Sequence, residues 1–403
     1  ADLGRVRDWL AQGQLLSPVS PERDNVNSVD LIQGCALSCG VPRQDLIAHV
    51  KTISSGAEAV ASLLSDVHHV IYVLLDGLGI NILEEILPPS SFLRKNLARE
   101  IRSVYPATTA AALTSLGSGV YPAAHSNIGW TVALPNAPSK TCNLLPFIDA
   151  QNKQPMEGEV ASNITAPSIW SLIARFRRVY SVSKYAHTGF STWLTGGCPS
   201  ANPEPFAEAV DAVVRDLAGD PEPRPTLTYL YCDSPDHEEH EHGIDSIEVR
   251  TKLVELDREV QRLHDELKAG NLDVTIIVTA DHGQQNGVFE QLEPSLASYL
   301  THPPTMEPRN PAFHVKSGQE QAFREAFGRA HGVDWALVEV GELESLGVLG
   351  TPLHPVTRDR LGTFVAMTNT NKYLCDTKIF NGAHGGMLPT EVRIPLVVAR
   401  TKA

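Results

Sequence analysis

The sequence predicts an α/β fold, a mostly parallel central sheet with helices on both faces and cap-like excursions above it. Three observations carry that expectation. Continuous aliphatic and β-branched runs recur along the chain, as strands buried on both faces require. Amphipathic, charged segments of helical period fall between them, as strand–crossover–strand units require. The chain has 403 residues, 42% of them hydrophobic, enough for one large domain to bury a full core without staples.

Residues 1–65 are expected to form a helical lead-in, with helical periodicity over 44–64, and 66–403 the α/β domain with its excursions. The first strand, His69–Leu75, is wholly apolar after its histidine and ends in Asp76-Gly77. Similar runs at 179–183, 226–232, 274–279 and 394–398 supply further strands, and 206–217 and 246–269 supply helices. Two stretches break the alternation. Residues 135–166 are rich in Pro, Asn and polar side chains, and 289–377 mix short strands with short helices. Both are expected to rise above the sheet and shape a substrate pocket.

Composition excludes several classes. Thirty-three basic against 47 acidic residues give a net charge of −14, unsuited to a nucleic-acid surface, which needs Lys and Arg against phosphates. No apolar run approaches the roughly 18 residues of a membrane-spanning helix. The six cysteines are too sparse for a disulfide framework and read as free thiols. Residues 1–10 are polar and lack a signal-peptide core, which favours a cytoplasmic location, and the lone sequon at Asn163 is weak evidence for secretion. Oligomeric state is not legible.

Chemistry gathers at the strand ends. Strand 70–75 ends in Asp76, strand 274–279 in Asp281-His282, and strand 226–232 in a turn that holds Asp236 and His240. His384 precedes the last strand. Ligands bind beyond the carboxyl edge of an open parallel sheet, so four Asp- and His-bearing turns arriving there converge. Mixed carboxylate and imidazole donors suit zinc, and also manganese or iron. Asp236 and His240 stand four apart and share a helical face, whereas His237, Glu238, Glu239 and Glu241 read as a solvated acidic turn. Tyr105-Pro-Ala-Thr108-Thr109-Ala-Ala-Ala112 looks like a helix start capped by Thr108 or Thr109. A hydroxyl there is a candidate nucleophile, since unpaired N–H groups at a helix N-terminus favour phosphate. Two nearby cations would activate it.

The order Asp76, Thr109, Asp236-x3-His240-x2-Gly243, Thr279-Ala-Asp281-His282-Gly283, His384-Gly-Gly resembles the alkaline phosphatase superfamily. Within it the chain is similar to the nucleotide pyrophosphatase/phosphodiesterase branch and its bacterial relatives, from about His69 to Val398. The resemblance implies two divalent ions, zinc foremost. Asp236, His240 and His384 would hold one, and Asp76, Asp281 and His282 the other, with Thr109 as a further ligand. It also implies that Thr109 is the nucleophile rather than Thr108, because the family's nucleophile lies ten residues before the glycine matching Gly119. Attack by Thr109 on a phosphodiester or pyrophosphate would give a phosphothreonine, which activated water then hydrolyses. Ala112 offers no polar group to a phosphoryl oxygen, so backbone N–H groups or another side chain must serve. The implied partner is a small phosphate ester or nucleotide.

Phosphomonoester or phosphonate hydrolysis on the same residues is the alternative, and a non-catalytic metal-binding protein stands behind both. A dinucleotide site at Gly77-Leu-Gly79 lacks its third glycine, and no Gly-Lys pair exists for a P-loop. Trp130, Trp170, Tyr185 and Trp193 lie near the first excursion, where aromatics either stack on a base or form local core.

Overall fold

The computed structural model describes residues 2–19, 25–135, 137–219 and 224–402. Ala1 and residues 20–24 of the expected lead-in, and Asn136 of the first excursion, lie outside the described residues. Seven strands form the central sheet: β1 (His69–Leu75), β2 (Leu97–Arg102), β3 (Arg178–Val182), β4 (Ser200–Ala201), β5 (Thr226–Cys232), β6 (Val274–Thr279) and β7 (Arg393–Arg400). Their spatial order is β2-β7-β6-β1-β5-β3-β4. Strand β1 lies at the centre, parallel to β5 and β6, and every one of its residues is buried. That position explains its unbroken apolar sequence, because a strand covered on both faces has no solvent side for polar residues.

Strand β7 differs from the parallel pattern. It runs antiparallel to β6 and to β2. Its start therefore lies at the carboxyl edge of the parallel strands, and the segment leading into it, with His384, arrives at the same edge as Asp76 and Asp281. Strand β2 was not expected. Half of its sequence, Leu-Ala-Arg-Glu-Ile-Arg, is charged, and only Ile101 is fully buried, as suits a strand at the edge of the sheet. Its carboxyl end feeds the short segment that reaches Thr109.

Helices flank the sheet. Helix Ile247–Ala269 buries Val249, Leu253, Leu256, Val260, Leu263 and Leu267 completely. These are its i, i+4, i+7 positions, and each such leucine contributes roughly 1.5–3 kcal/mol of burial. In the lead-in, the 44–64 periodicity resolves into two helices, Arg43–Val50 and Ser55–Leu63. Helix Ser28–Ser38 starts at Asn27, whose side chain accepts the N–H groups of Val29 and Asp30. It packs against both Ser55–Leu63 and Thr109–Ser118, so the lead-in backs the helix that begins at Thr109.

The two excursions join. Strands from both, together with Thr131–Leu134, form a second seven-stranded sheet in the order Ala336–Glu339, Phe364–Met367, Asn310–Phe313, Thr305–Glu307, Thr131–Leu134, Ala137–Asn143, Ile148–Asp149. Part of it carries a separate apolar cluster around Phe313, Phe323, Phe327, Trp335 and Phe364. Strand Thr131–Leu134 links the two excursions, pairing with Met306 on one side and with Ala137–Asn143 on the other. This places Glu307 directly over the start of helix Thr109–Ser118. Among the described residues, no helix is long and apolar enough to cross a membrane.

Candidate active site

Asp76 is the residue after β1, and Gly77 turns the chain away with φ +78°. A Cβ at Gly77 would fall 2.9 Å from the Asp236 Cα and Cβ atoms, so glycine lets the two turns meet. Asp281 and His282 follow β6. Asp236 opens the short helix Asp236–His242, where His240 sits one turn later on the same face. The Asp236 Oδ1 to His240 Nε2 distance is 3.3 Å.

The three imidazoles share one hydrogen-bonding arrangement. Nδ1 of His240 lies 2.8 Å from the Gly382 carbonyl, that of His282 3.0 Å from Gly283 and that of His384 3.0 Å from Ala107. A carbonyl only accepts, so each Nδ1 carries the proton and each Nε2 presents a lone pair. Those lone pairs converge. His240 Nε2 is 3.1 Å from His384 Nε2, which is 3.6 Å from Asp236 Oδ1. His282 Nε2 is 3.4 Å from both Asp76 and Asp281 and 4.0 Å from Asp236. Potential ligand atoms of Asp76, Asp281 and His282 lie within 4.8 Å of one another, as do those of Asp236, His282 and His384.

Such a set of acceptors cannot satisfy itself. Burial pushes the Asp76 carboxyl well up, aided by Asp281 and Asp236, and burial also raises Asp236, to about 7. Burial lowers His240 to about 4 and His384 well below its usual range, in the latter case with help from the two neighbouring imidazoles. Asp281 Oδ1 accepts from the N–H groups of Gly77 and His282, while its buried Oδ2 has no hydrogen-bond partner among the described residues. Neutral imidazole lone pairs facing carboxylates, with an orphaned carboxylate oxygen between, are the donor set that divalent cations require.

Thr109 is the first residue of helix Thr109–Ser118. Its Oγ1 lies 3.1 Å from His282 Nε2 and 3.4 Å from each Asp76 oxygen. Thr108 occupies the cap position but makes no capping bond; its hydroxyl instead donates to Glu307 at 2.7 Å. The first N–H groups of the helix thus carry no side-chain cap. Ala112 is buried in the helix and contributes no polar group.

Several neighbours escaped sequence reasoning. Glu239 corrects the expectation of a solvated acidic turn: it is fully buried, packs beside Gly77 and accepts a 2.8 Å hydrogen bond from Gln284, which also donates to Asp236. Its position three residues after Asp236 places it on the same helix face, and that spacing was the available signal. His237 and Glu241 are exposed and Glu238 is half-buried. Tyr231, two residues before Asp233, donates to Asp76 at 2.5 Å. Its reach follows from the β1–β5 register, which pairs Leu74 with Tyr231.

Glu307 carried no motif at all. It accepts from Thr108 and from the Trp130 N–H at 2.6 Å, and burial pushes its carboxyl up to about 7 against those two bonds. An acid raised in the folded state binds a proton that the unfolded chain releases near its ordinary value of 4.5. Stability from this group is therefore full below that value and falls as pH rises towards 7. In metal-free protein, Glu307→Gln should gain on the wild type by about 1 kcal/mol or more between pH 5 and 7. Denaturant midpoints across that range measure it, and a pH-independent difference would show that Glu307 ionises normally.

A cavity of about 560 Å³ opens from Thr109, Asp76, Asp236 and His240. Trp130 and Tyr185 line it while remaining 42% and 41% exposed, whereas Trp170 is completely buried core and Trp193 packs against Gly117. All six cysteines are free.

Residues 70–333 match the family model described as type I phosphodiesterase/nucleotide pyrophosphatase. Human ectonucleotide pyrophosphatase/phosphodiesterase family member 1 is 28% identical over 211 residues, 50% of this chain and 22% of that protein. The chain thus spans under a quarter of the length of the curated relatives it matches. Murine ectonucleotide pyrophosphatase/phosphodiesterase 5, in an inactive threonine-to-alanine form in complex with AMP, superposes with TM-score 0.63 at 18% identity, covering 82% of this chain and 87% of that one. Phosphonoacetate hydrolase from Sinorhizobium meliloti 1021 superposes with TM-score 0.60 at 19% identity, covering 82% and 90%.

Proposed function

The chain belongs to the type I phosphodiesterase/nucleotide pyrophosphatase family, and from that premise we propose that it hydrolyses phosphodiester or pyrophosphate bonds through a phosphothreonine on Thr109. The observation that carries the reading is the Thr109 hydroxyl at an uncapped helix start, within 3.4 Å of both Asp76 and His282. Asp236, His240 and His384 would hold one divalent ion; Asp76, Asp281 and His282, with Thr109, would hold the other. Zinc suits these nitrogen and oxygen donors best, with manganese or iron as the other fitting ions. When bound, the pair supplies Lewis-acid charge for the attacking and leaving oxygens of an in-line displacement.

The chain's own residues do the rest. Tyr231 fixes the Asp76 carboxylate, Gln284 fixes Asp236, and three backbone carbonyls orient the imidazoles. The open N–H groups of helix Thr109–Ser118 face the phosphoryl oxygens, standing in for the polar group that Ala112 lacks. The Thr109 Oγ1–P bond forms as the bond from phosphorus to the leaving oxygen breaks. Water then attacks the phosphothreonine, freeing a phosphomonoester and restoring the hydroxyl. The inactive threonine variant solved with AMP in the murine neighbour supports a threonine and a nucleotide-type substrate.

Metal-depleted protein reconstituted with zinc, manganese or iron should hydrolyse bis(4-nitrophenyl) phosphate far faster than the depleted sample, and faster than 4-nitrophenyl phosphate. Initial rates of nitrophenol release decide it. A monoester preferred by orders of magnitude overturns the diesterase reading in favour of a monoesterase, and turnover that survives metal depletion overturns the two-ion reading.

A further inference from the structure

We propose that Asp233, held by Lys184 and Tyr185, makes the cavity beside Thr109 select phosphodiesters whose larger substituent is aromatic and uncharged, against those carrying extra phosphate or carboxylate. The proposal rests on the phosphodiesterase reading above and deepens it.

The cavity's charge carries the argument. Its wall contains three carboxylates, Asp76, Asp233 and Asp236, and, among the described residues, neither Arg nor Lys. Asp76 and Asp236 belong to the ion-binding set, which leaves Asp233 as the carboxylate that meets the substituent. It also lines an adjoining cavity of about 400 Å³, so it stands in the partition between the two. Its position is fixed. The Lys184 ammonium lies 2.7 Å from Asp233 Oδ2 and 3.4 Å from Glu204, and the Tyr185 hydroxyl donates to the same Oδ2 at 2.8 Å. Lys184 therefore has its charge already paired with Asp233 and Glu204, and lies outside the wall of the larger cavity.

A second anionic group placed here would meet two carboxylates, Asp233 and Glu204, that share the single Lys184 cation, so the cluster keeps one net negative charge. An uncharged aromatic group meets something different. It covers the exposed faces of Trp130 and Tyr185, lies against Leu145 and Phe190, and finds neutral hydroxyls on Ser183 and Ser191. A few neutral polar groups in an aromatic cavity orient an uncharged ligand without demanding a charge from it.

A matched pair of substrates tests this: 4-nitrophenyl phenyl phosphate and its 4-carboxyphenyl analogue, equal in shape to within one carboxylate. The wild-type, metal-reconstituted protein should show a kcat/KM for the phenyl diester 10- to 100-fold above that for the carboxyphenyl diester. In Asp233→Asn that ratio should fall towards one. In Ser191→Lys, which adds a cation to the cavity wall and leaves Asp233 in place, the carboxyphenyl diester should gain at least 10-fold relative to the phenyl one. Equal wild-type rates, or a ratio unmoved in both variants, overturns the proposal while leaving the phosphodiesterase reading intact. Turnover of neither diester overturns that reading, and the proposal with it.

Discussion

Thr109→Ala should keep the fold and bound ions and lose turnover by a factor of about 10⁴ or more, the scale seen when a covalent nucleophile is deleted. The substitution is benign for the helix, because alanine has the higher helix propensity and the Thr109 hydroxyl caps nothing. What disappears is the oxygen 3.1 Å from His282 and 3.4 Å from Asp76. Thr109→Ser, which retains a hydroxyl, should recover a substantial part of the rate. Thr108→Ala is the necessary companion. It removes a donor to Glu307, not a group facing the ions, and should cost less than about 10-fold, in line with a lost neutral-to-acid hydrogen bond. Steady-state rates with ion content measured on the same samples discriminate the cases. A Thr109→Ala protein that keeps a tenth of its activity places the nucleophile elsewhere.

Asp281→Asn should reduce the ion content from two per chain to one and lower turnover by about 10³ or more, since one ion cannot serve both oxygens of the displacement. Asp281 is completely buried, and its Oδ1 holds the turn through Gly77 and His282. An amide keeps that acceptor and the shape of the site, so the fold should survive. The effect falls on the partnerless Oδ2, which asparagine replaces with an N–H₂ donor that repels a cation. Elemental analysis of the purified variant is the direct measurement. Full retention of two tightly bound ions would remove Asp281 from the ligand set.

Much of the architecture was legible because burial leaves a compositional mark. Strands β1, β5 and β6 are covered on both faces, so their sequences are nearly all apolar or β-branched, and Asp76 and Asp281 stand out where each apolar run stops. The Asp236–His240 spacing is a local helical rule and needs no tertiary information. What could not be read depends on pairing at a distance. Strand β2 hides its period behind Arg99, Glu100 and Arg102 because an edge strand tolerates charge on its open side. Glu307 reaches Thr108 because the second excursion, undistinguished alone, pairs through Met306 with Thr131, far away in sequence. The Tyr231 hydroxyl is one of several tyrosines until the strand register aims it at Asp76. Glu239 was hidden by its setting, a run of acidic and histidine residues whose composition reads as solvent-facing.

The reversed last strand ties chemistry to the order in which the chain can fold. Arg393 in β7 pairs with Glu100 in β2 across 293 residues, and His384 meets His240 across 144. Loop closure over such lengths is thermodynamically mild, about 0.6 kcal/mol for each doubling, but contacts so remote in sequence form slowly. During synthesis from the N-terminus, Asp76, Thr109, Asp236, His240, Asp281 and His282 all emerge before His384. The proposed ion site of Asp236, His240 and His384 would therefore lack a ligand until β7 inserts between β2 and β6. The proposed hydrolytic centre would mature last, and an ion gripped by both early and late segments would work as a latch that slows unfolding once the sheet has closed.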